Sequence, residues 1–311
     1  MEPRGLLTQL SDKLLQKPQL IWIYVVVLAL FPLTDWLSLA LIALVTMRLG
    51  WYEGVRCFLA GATASMCLTE YSGESIEAFV TILPTYVFTY AGACLLRKYG
   101  NWHYVIAGIL SAIFLILLGV HWFIPDFFVS QYQAFLSVLE QIDPDKLYIP
   151  QLLGNNPANQ IKLAYYMFSV KLLGIFLSVM ISLLLARSIQ SQLFYPGGFK
   201  IELLSFRANK TGLLFLAVIG AGIYQHNVLA YCSLFICFTY FLIGGLSLAA
   251  SILAHKQKIV IYTAIFLPLI IVPYITLPLY AVFGSIDSIF NLRKRLLLAK
   301  GQVNAKKELK G

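Results

Sequence analysis

Apolar residues fall in nine runs, at 20–33, 36–47, 57–69, 78–96, 102–123, 161–186, 211–225, 228–254 and 259–283. About 20 apolar residues are needed to cross the ~30 Å hydrocarbon core of a bilayer. The first two runs are short for that and flank a Thr34-Asp35 break, so they predict a hairpin of two short helices with Asp35 at its outer tip. The third run carries Gly61, Ala62, Ala64 and Ser65, a small-residue face suited to close helix packing. Trp102, His103 and Tyr104 open the fifth run like an interfacial belt. Between the fifth and sixth runs, "FFVSQYQAFLSVLEQI" places apolar residues at helical spacing, which predicts an extracytoplasmic amphipathic helix lying on the membrane. Pro268, Pro273 and Pro278, five residues apart, are expected to bend the last helix on one side.

Composition supports lipid as the solvent. Of 311 residues, 59% are hydrophobic and 12% charged, where a soluble domain carries about 25% charged residues. The expected fold is an all-α, polytopic transmembrane helical bundle of eight or nine membrane helices. Its divisions are a cytoplasmic N-terminal segment (1–19), a six-helix core (20–188) that includes an extracytoplasmic loop (125–160), a cytoplasmic basic loop (189–210), C-terminal membrane helices (211–283) and a basic tail (284–311). No cleavage site for a signal peptide follows the first run.

The net charge of +9 does not point to nucleic acid, because the bases sit in short loops and at the ends rather than along one surface. They collect at 1–19, 48–56, 97–98, 187–210, 255–258 and 285–311, while acids collect at 35, 70–77 and 126–145. This is the bias of the positive-inside rule. It gives a multi-pass membrane protein with a cytoplasmic N-terminus; the resemblance given below places it in a bacterial inner membrane. Eight runs alternate consistently; a ninth puts the basic tail outside, and the run 211–225 is the weakest crossing.

Catalytic signals are poor. Cys57, Cys67, Cys94, Cys232 and Cys237 lie in apolar runs without metal-ligand spacing, and His103, His121, His226 and His255 are dispersed. No HExxH, CxxC, GxSxG or phosphate-loop pattern occurs. A non-enzyme without metal or cofactor is expected.

Intramembrane charge says more. Lys171 lies ten residues into the sixth run, near mid-membrane, where a lysine costs roughly 2.5–3.5 kcal/mol on insertion scales. It should face the bundle interior, within reach of Glu70, Glu74 or Glu77, whose spacing of four and three puts them on one helical face. These four residues are the candidate ligand site. The polar segment 187–210 is the second candidate. Its turn, Pro196-Gly197-Gly198, lies among Arg187, Glu202 and Arg207, a surface for lipid headgroups or a partner. Arg293, Lys294 and Arg295 in the tail would meet anionic headgroups. Asp287 and Arg293, six apart, are out of reach on a helix, and Asp287 reads as a cap of the helix carrying Phe290 and Arg293.

Three phrases carry a resemblance. "LLLARSIQSQLFYPGGFKIELLSFR", "FLIGGLS" at 241–247 with "HNVL" before it, and "GSIDSIFNLRKRL" at 284–296 resemble, in order along the chain, recurrent patterns of the YybS-like family of bacterial inner-membrane proteins. That family has no established activity. The resemblance implies a helical core similar to the substrate-binding subunits of vitamin transporters and to the rod-shape protein MreD. Helix one, "IWIYVVVLALF", departs from those subunits by having only Ala29 as a small residue.

Two functions follow. In the first, an outward polar pocket at Lys171 and the glutamates binds a small molecule, with 125–160 as a lid. In the second, the bundle is a platform whose basic segment 187–210 and tail bind an unidentified membrane, cytoplasmic or cell-envelope partner. Lipid is a partner in both; nucleic acid in neither.

Overall fold

The structure is a computed structural model that describes residues 18–31, 34–71, 75–124, 126–142, 157–253 and 258–294. The described residues form helices and connecting turns. The helices are α1 (Pro18–Ala29), α2 (Asp35–Arg48), α3 (Trp51–Tyr71), α4 (Ser75–Tyr99), α5 (Trp102–Phe123), α6 (Asp126–Ile142), α7 (Pro157–Phe194), α8 (Gly198–Ser205), α9 (Thr211–Tyr224), α10 (Val228–Leu253), α11 (Lys258–Ile271) and α12 (Pro273–Phe290). Four stretches are long and apolar enough to cross a membrane, namely Val80–Tyr99, Trp102–Phe123, Lys162–Phe194 and Val228–Leu253. They fit a membrane-embedded protein. The chain divides into two compact units, residues 1–199 and 200–311.

In the first unit α2 is the centre. It packs against α1, α3, α4 and α7, and Leu39, Ile42, Ala43, Leu44 and Val45 are buried along it. A helix that is apolar all round is a buried helix. Its 14 residues reach about 21 Å, so this short run fills the interior of the unit. Ile21 and Val25 of α1, Cys57 and Ala62 of α3 and Tyr86 of α4 complete the core around it.

α7 has 38 residues, or about 57 Å, well beyond a hydrocarbon core. Its buried stripe runs from Ala164 through Phe168, Leu172, Val179 and Leu183 to Ile189. The stripe does not stop at Arg187, so the first part of the segment 187–210 is helix. α6 forms over the predicted amphipathic stretch, and its one extensive packing partner among the described residues is α7.

In the second unit α10 and α12 form the most extensive helix pair of the structure. The single bent helix expected over 259–283 is two helices. The break falls at Val272, φ −135° and ψ 61°, with Pro273 opening α12. A residue before proline is pushed out of the helical region, and of Leu267, Val272 and Leu277 only the valine is β-branched, a weak helix former. Pro268 and Pro278 stay inside their helices.

Candidate functional site

Lys171 projects from α7 nine residues beyond Lys162, about 14 Å along the span. Its Nζ donates to Oε1 of Gln131 on α6 at 2.8 Å. The surroundings are aromatic. Phe128 of α6 stacks on Tyr165 of α7, centroids 3.8 Å apart and 17° from parallel, and meets Phe168 edge-on. The Tyr165 hydroxyl is hydrogen-bonded to His121 Nδ1 of α5 at 2.5 Å. Positions 128, 131 and 132 share one face of α6, and 165, 168 and 171 lie along one face of α7, as spacings of three and four require. Tyr132 completes the face of α6. It is 4% exposed, and its hydroxyl has no hydrogen-bond partner, a buried state that costs about 1–3 kcal/mol.

Of the three glutamates, two fall in described helices. Glu70 is exposed in the last turn of α3, and Glu77 belongs to α4. Glu74 and the side chain of Glu77 lie outside the described residues.

The turn at 196–198 has the geometry its residues favour. Gly198 N–H donates to Tyr195 O at 3.1 Å across Pro196 and Gly197, and Gly197 has φ +86°. That is a type II turn, with proline at its second position and glycine at the third, where positive φ is needed. Ser191 Oγ donates to Tyr195 O at 2.9 Å and accepts from Phe199 N–H at 3.2 Å, which pins both sides of it. Pro196 and Gly197 are exposed and Gly198 is buried. Arg187 Nη1 donates to Gln190 Oε1 at 2.7 Å.

The second unit gathers residues of all three sequence phrases. Arg207 donates through Nε to Asp287 O at 3.0 Å and through Nη2 to Ser288 O at 2.8 Å, the last turn of α12. Arg293 returns the contact. It donates to Leu204 O at the end of α8, to Gly244 O of α10 at 3.4 Å, and through Nε to Asp287 Oδ2 at 3.2 Å. Each arginine thus reaches a carbonyl in the last turn of a helix, Ser288 O for Arg207 and Leu204 O for Arg293, while Asp287 O also accepts from Asn291 N–H at 3.0 Å. Asp287 and Arg293 do pair, although six apart, because α12 ends at Phe290 and Asn291 turns the chain with φ 49°. Asp287 Oδ1 also accepts from Leu292 N–H at 2.8 Å, so it caps the end of α12. Burial pushes the Arg293 guanidinium down from its ordinary pKa, the Asp287 charge and hydrogen bond oppose that, and Arg207 adds to it. Ser288 Oγ is buried without a partner. Glu202 is half-buried, Lys294 is exposed, and Arg295 lies outside the described residues.

A third cluster was not anticipated. Asp35, read as a tip charge, accepts from the Tyr86 hydroxyl of α4 at 2.6 Å and from Ser65 of α3 at 3.4 Å. Thr34 and Ser38 donate to Leu28 O and Val25 O, capping α1. The available signal was two hydroxyl residues, Thr34 and Ser38, flanking one aspartate after an apolar run.

Neither a family model, nor a curated protein, nor a solved structure matches the chain.

Proposed function

We propose that the chain is a multi-pass protein of a bacterial inner membrane that binds a small polar molecule without transforming it, in the manner of a transport subunit. The proposal includes eight or nine membrane-embedded helices, a cytoplasmic N-terminus and membership of the YybS-like family. The buried α2 supports the helix number, since apolar runs too short to cross can lie inside such a bundle. The charge bias of the loops supports the orientation. The meeting of Arg207, Gly244 and Asp287–Arg293 supports the family resemblance, because it gives three separated phrases one structural reason.

The carrying observation is the 2.8 Å bond from Lys171 to Gln131. An ionisable residue inside a membrane span marks a functional site by default. Here it is met by an amphipathic helix whose one extensive packing partner among the described residues is α7. Such a helix can leave without dismantling the rest of the unit, as a lid must. Native mass spectrometry of the detergent-purified chain, before and after incubation with a cell extract, is the test. The wild type should carry a small-molecule mass that Lys171→Gln with Phe128→Ala loses. A wild type at the bare polypeptide mass under both conditions overturns the proposal.

A platform reading has one observation in its favour. The second half of the basic stretch 187–210 presents exposed Lys200 on α8 and exposed Lys210 just before α9. A partner that reads a fixed basic surface would bind there.

A further inference from the structure

We propose that the Asp35 cluster binds one sodium ion through the Asp35 carboxylate, the Ser65 hydroxyl and the Ala29 carbonyl, with Tyr86 orienting the carboxylate. The cluster lies in the first unit, where α1 ends, α2 begins, and α3 and α4 pack beside them. Its polar atoms are all oxygens. The Tyr86 hydroxyl donates to Asp35 Oδ1 at 2.6 Å, a length within the range of about 2.5–2.7 Å for a bond to an ionised oxygen. Among the described residues no lysine, arginine or histidine bonds this carboxylate; its partners are Tyr86 and Ser65. Tyr86 is fully buried and Ser65 nearly so, so the negative charge faces a dry wall without a countercharge, which is costly. A cation removes that cost.

The spacing of the oxygens points to a metal shell. Ser65 Oγ has three oxygen neighbours, Tyr86 Oη at 2.9 Å, Asp35 Oδ1 at 3.4 Å and Ala29 O at 3.5 Å, and one proton to share among them. The two longer separations exceed the ordinary O–H···O range of about 2.5–3.0 Å. Oxygens that ligate calcium at about 2.3–2.6 Å and at right angles to one another are about 3.2–3.7 Å apart, and sodium has nearly the radius of calcium. Potassium is larger and would spread the ligands further. Charge selects the valence: one carboxylate balances one positive charge, whereas a calcium loop draws on several. Ala29 contributes the last carbonyl of α1, at the helix end that carries partial negative charge. Helix ends of this kind hold coupling cations in membrane proteins. Leu28 O and Val25 O, the neighbouring carbonyls, are engaged by Thr34 and Ser38. A Cβ on Gly61 of α3 would lie 2.8 Å from Tyr86 Cε1, so the glycine leaves room for the ring that orients Asp35. Asp35 itself is only half-buried, as an exchanging ion requires.

The test is equilibrium binding of radiolabelled sodium to the detergent-purified full chain, at neutral and alkaline pH, with choline chloride holding the ionic strength constant. The wild type should bind one ion per chain saturably, and its melting temperature should rise over the same range of sodium chloride. Unlabelled sodium should displace the label; potassium and calcium at equal concentration should not. Asp35→Asn removes the charge at constant shape and should abolish binding. Ser65→Ala removes one ligand and no bulk, and should weaken the apparent affinity by about tenfold or more; it carries the test if Asp35→Asn is unstable. Lys171→Gln should bind sodium like the wild type, so this site and the proposed ligand site stand or fall separately. No saturable binding at either pH overturns the proposal, since the cluster then takes a proton at most. Displacement by potassium or calcium as effective as by sodium overturns the choice of ion, and binding that Ser65→Ala leaves unchanged overturns its placement.

Discussion

Replacing Gly245 or Gly284 with alanine puts a methyl group where α10 and α12 touch backbone to backbone. A Cβ built on Gly284 meets Phe241 O and lies 2.7 Å from Gly245 N; one on Gly245 meets Tyr280 O and lies 3.2 Å from Gly284 N. Neither obstacle is a side chain that could rotate away, so the helices must part. The gap needed at Gly245 N is roughly 0.7 Å for an ordinary contact, and a gap of 0.5–1 Å forfeits a quarter to a half of the dispersion well for the atoms it separates. Overpacking costs about 1–3 kcal/mol and occasionally more. A clash with backbone across the most extensive helix pair belongs at the upper end, about 3 kcal/mol. Alanine returns about 1 kcal/mol of helix propensity. The net loss is therefore about 2 kcal/mol, or roughly 4–8 °C in melting temperature by the scaling for domains of 150–250 residues. Two controls isolate the cause. Gly244→Ala meets the Ala208 Cβ at 3.2 Å, with Ala208 N at 3.4 Å and Gly284 Cα at 3.7 Å in ordinary contact, and should cost less than either. Gly220→Ala, in exposed α9 with nothing within 4 Å, should gain the propensity term. The assay is thermal unfolding in detergent, followed by size-exclusion of the surviving fraction. If Gly245→Ala and Gly284→Ala melt with Gly220→Ala, the close crossing carries no energy and the reasoning is wrong.

Two further outcomes are expected. Tyr86→Phe removes the 2.6 Å hydrogen bond to Asp35; bonds to charged groups contribute about 1.5–3 kcal/mol, so the melting temperature should fall clearly, and an unchanged value would show that the Asp35 cluster is not holding α2 to α4. For orientation, in a background without native cysteines, Ser130→Cys should react with an impermeant thiol reagent added outside intact cells and Lys200→Cys should not. Both positions are exposed, and the reverse pattern would invert the topology.

Periodicity made the long elements legible. The amphipathic spacing of 127–142 marked α6, and the apolar runs marked α5 and α10, because lipid and core both select on hydrophobicity. Helix ends were less legible. Arg187 looked like the end of a span, yet Ala186, Ile189 and Ser191 continue the buried stripe of α7, since a helix can outrun the bilayer when another element packs on it. Arg48 supplies part of that packing, with its guanidinium 3.2 Å from the centre of the Phe194 ring. Lys171 stood out because a charge in an apolar run is rare. Gln131 did not, because a neutral amide on a surface-type helix carries no signal of what it will bond 40 residues later. Arg207 and Asp287 are 80 residues apart. Each phrase pointed to itself, and only the fold shows that they share a site.

That difference in wiring also decides which cluster can take a ligand. Around Arg207 and Arg293 the charges nearly cancel. Two guanidinium groups face one carboxylate and the C-terminal ends of α8 and α12, and each helix end contributes roughly −0.5 of a charge. The sum is about zero, and each arginine donates to at least two fixed oxygens. An added anion would have to displace several fixed carbonyls at once, so the unpartnered Ser288 hydroxyl there is better understood as a local cost of the close crossing. The Lys171 contact is of another kind. Its Nζ donates to the Gln131 carboxamide of α6, a side chain that can rotate and exchange partners, whereas the arginines bond backbone carbonyls that are fixed by their helices. The first cluster is a lock between helices; the second joins two helices through side chains alone.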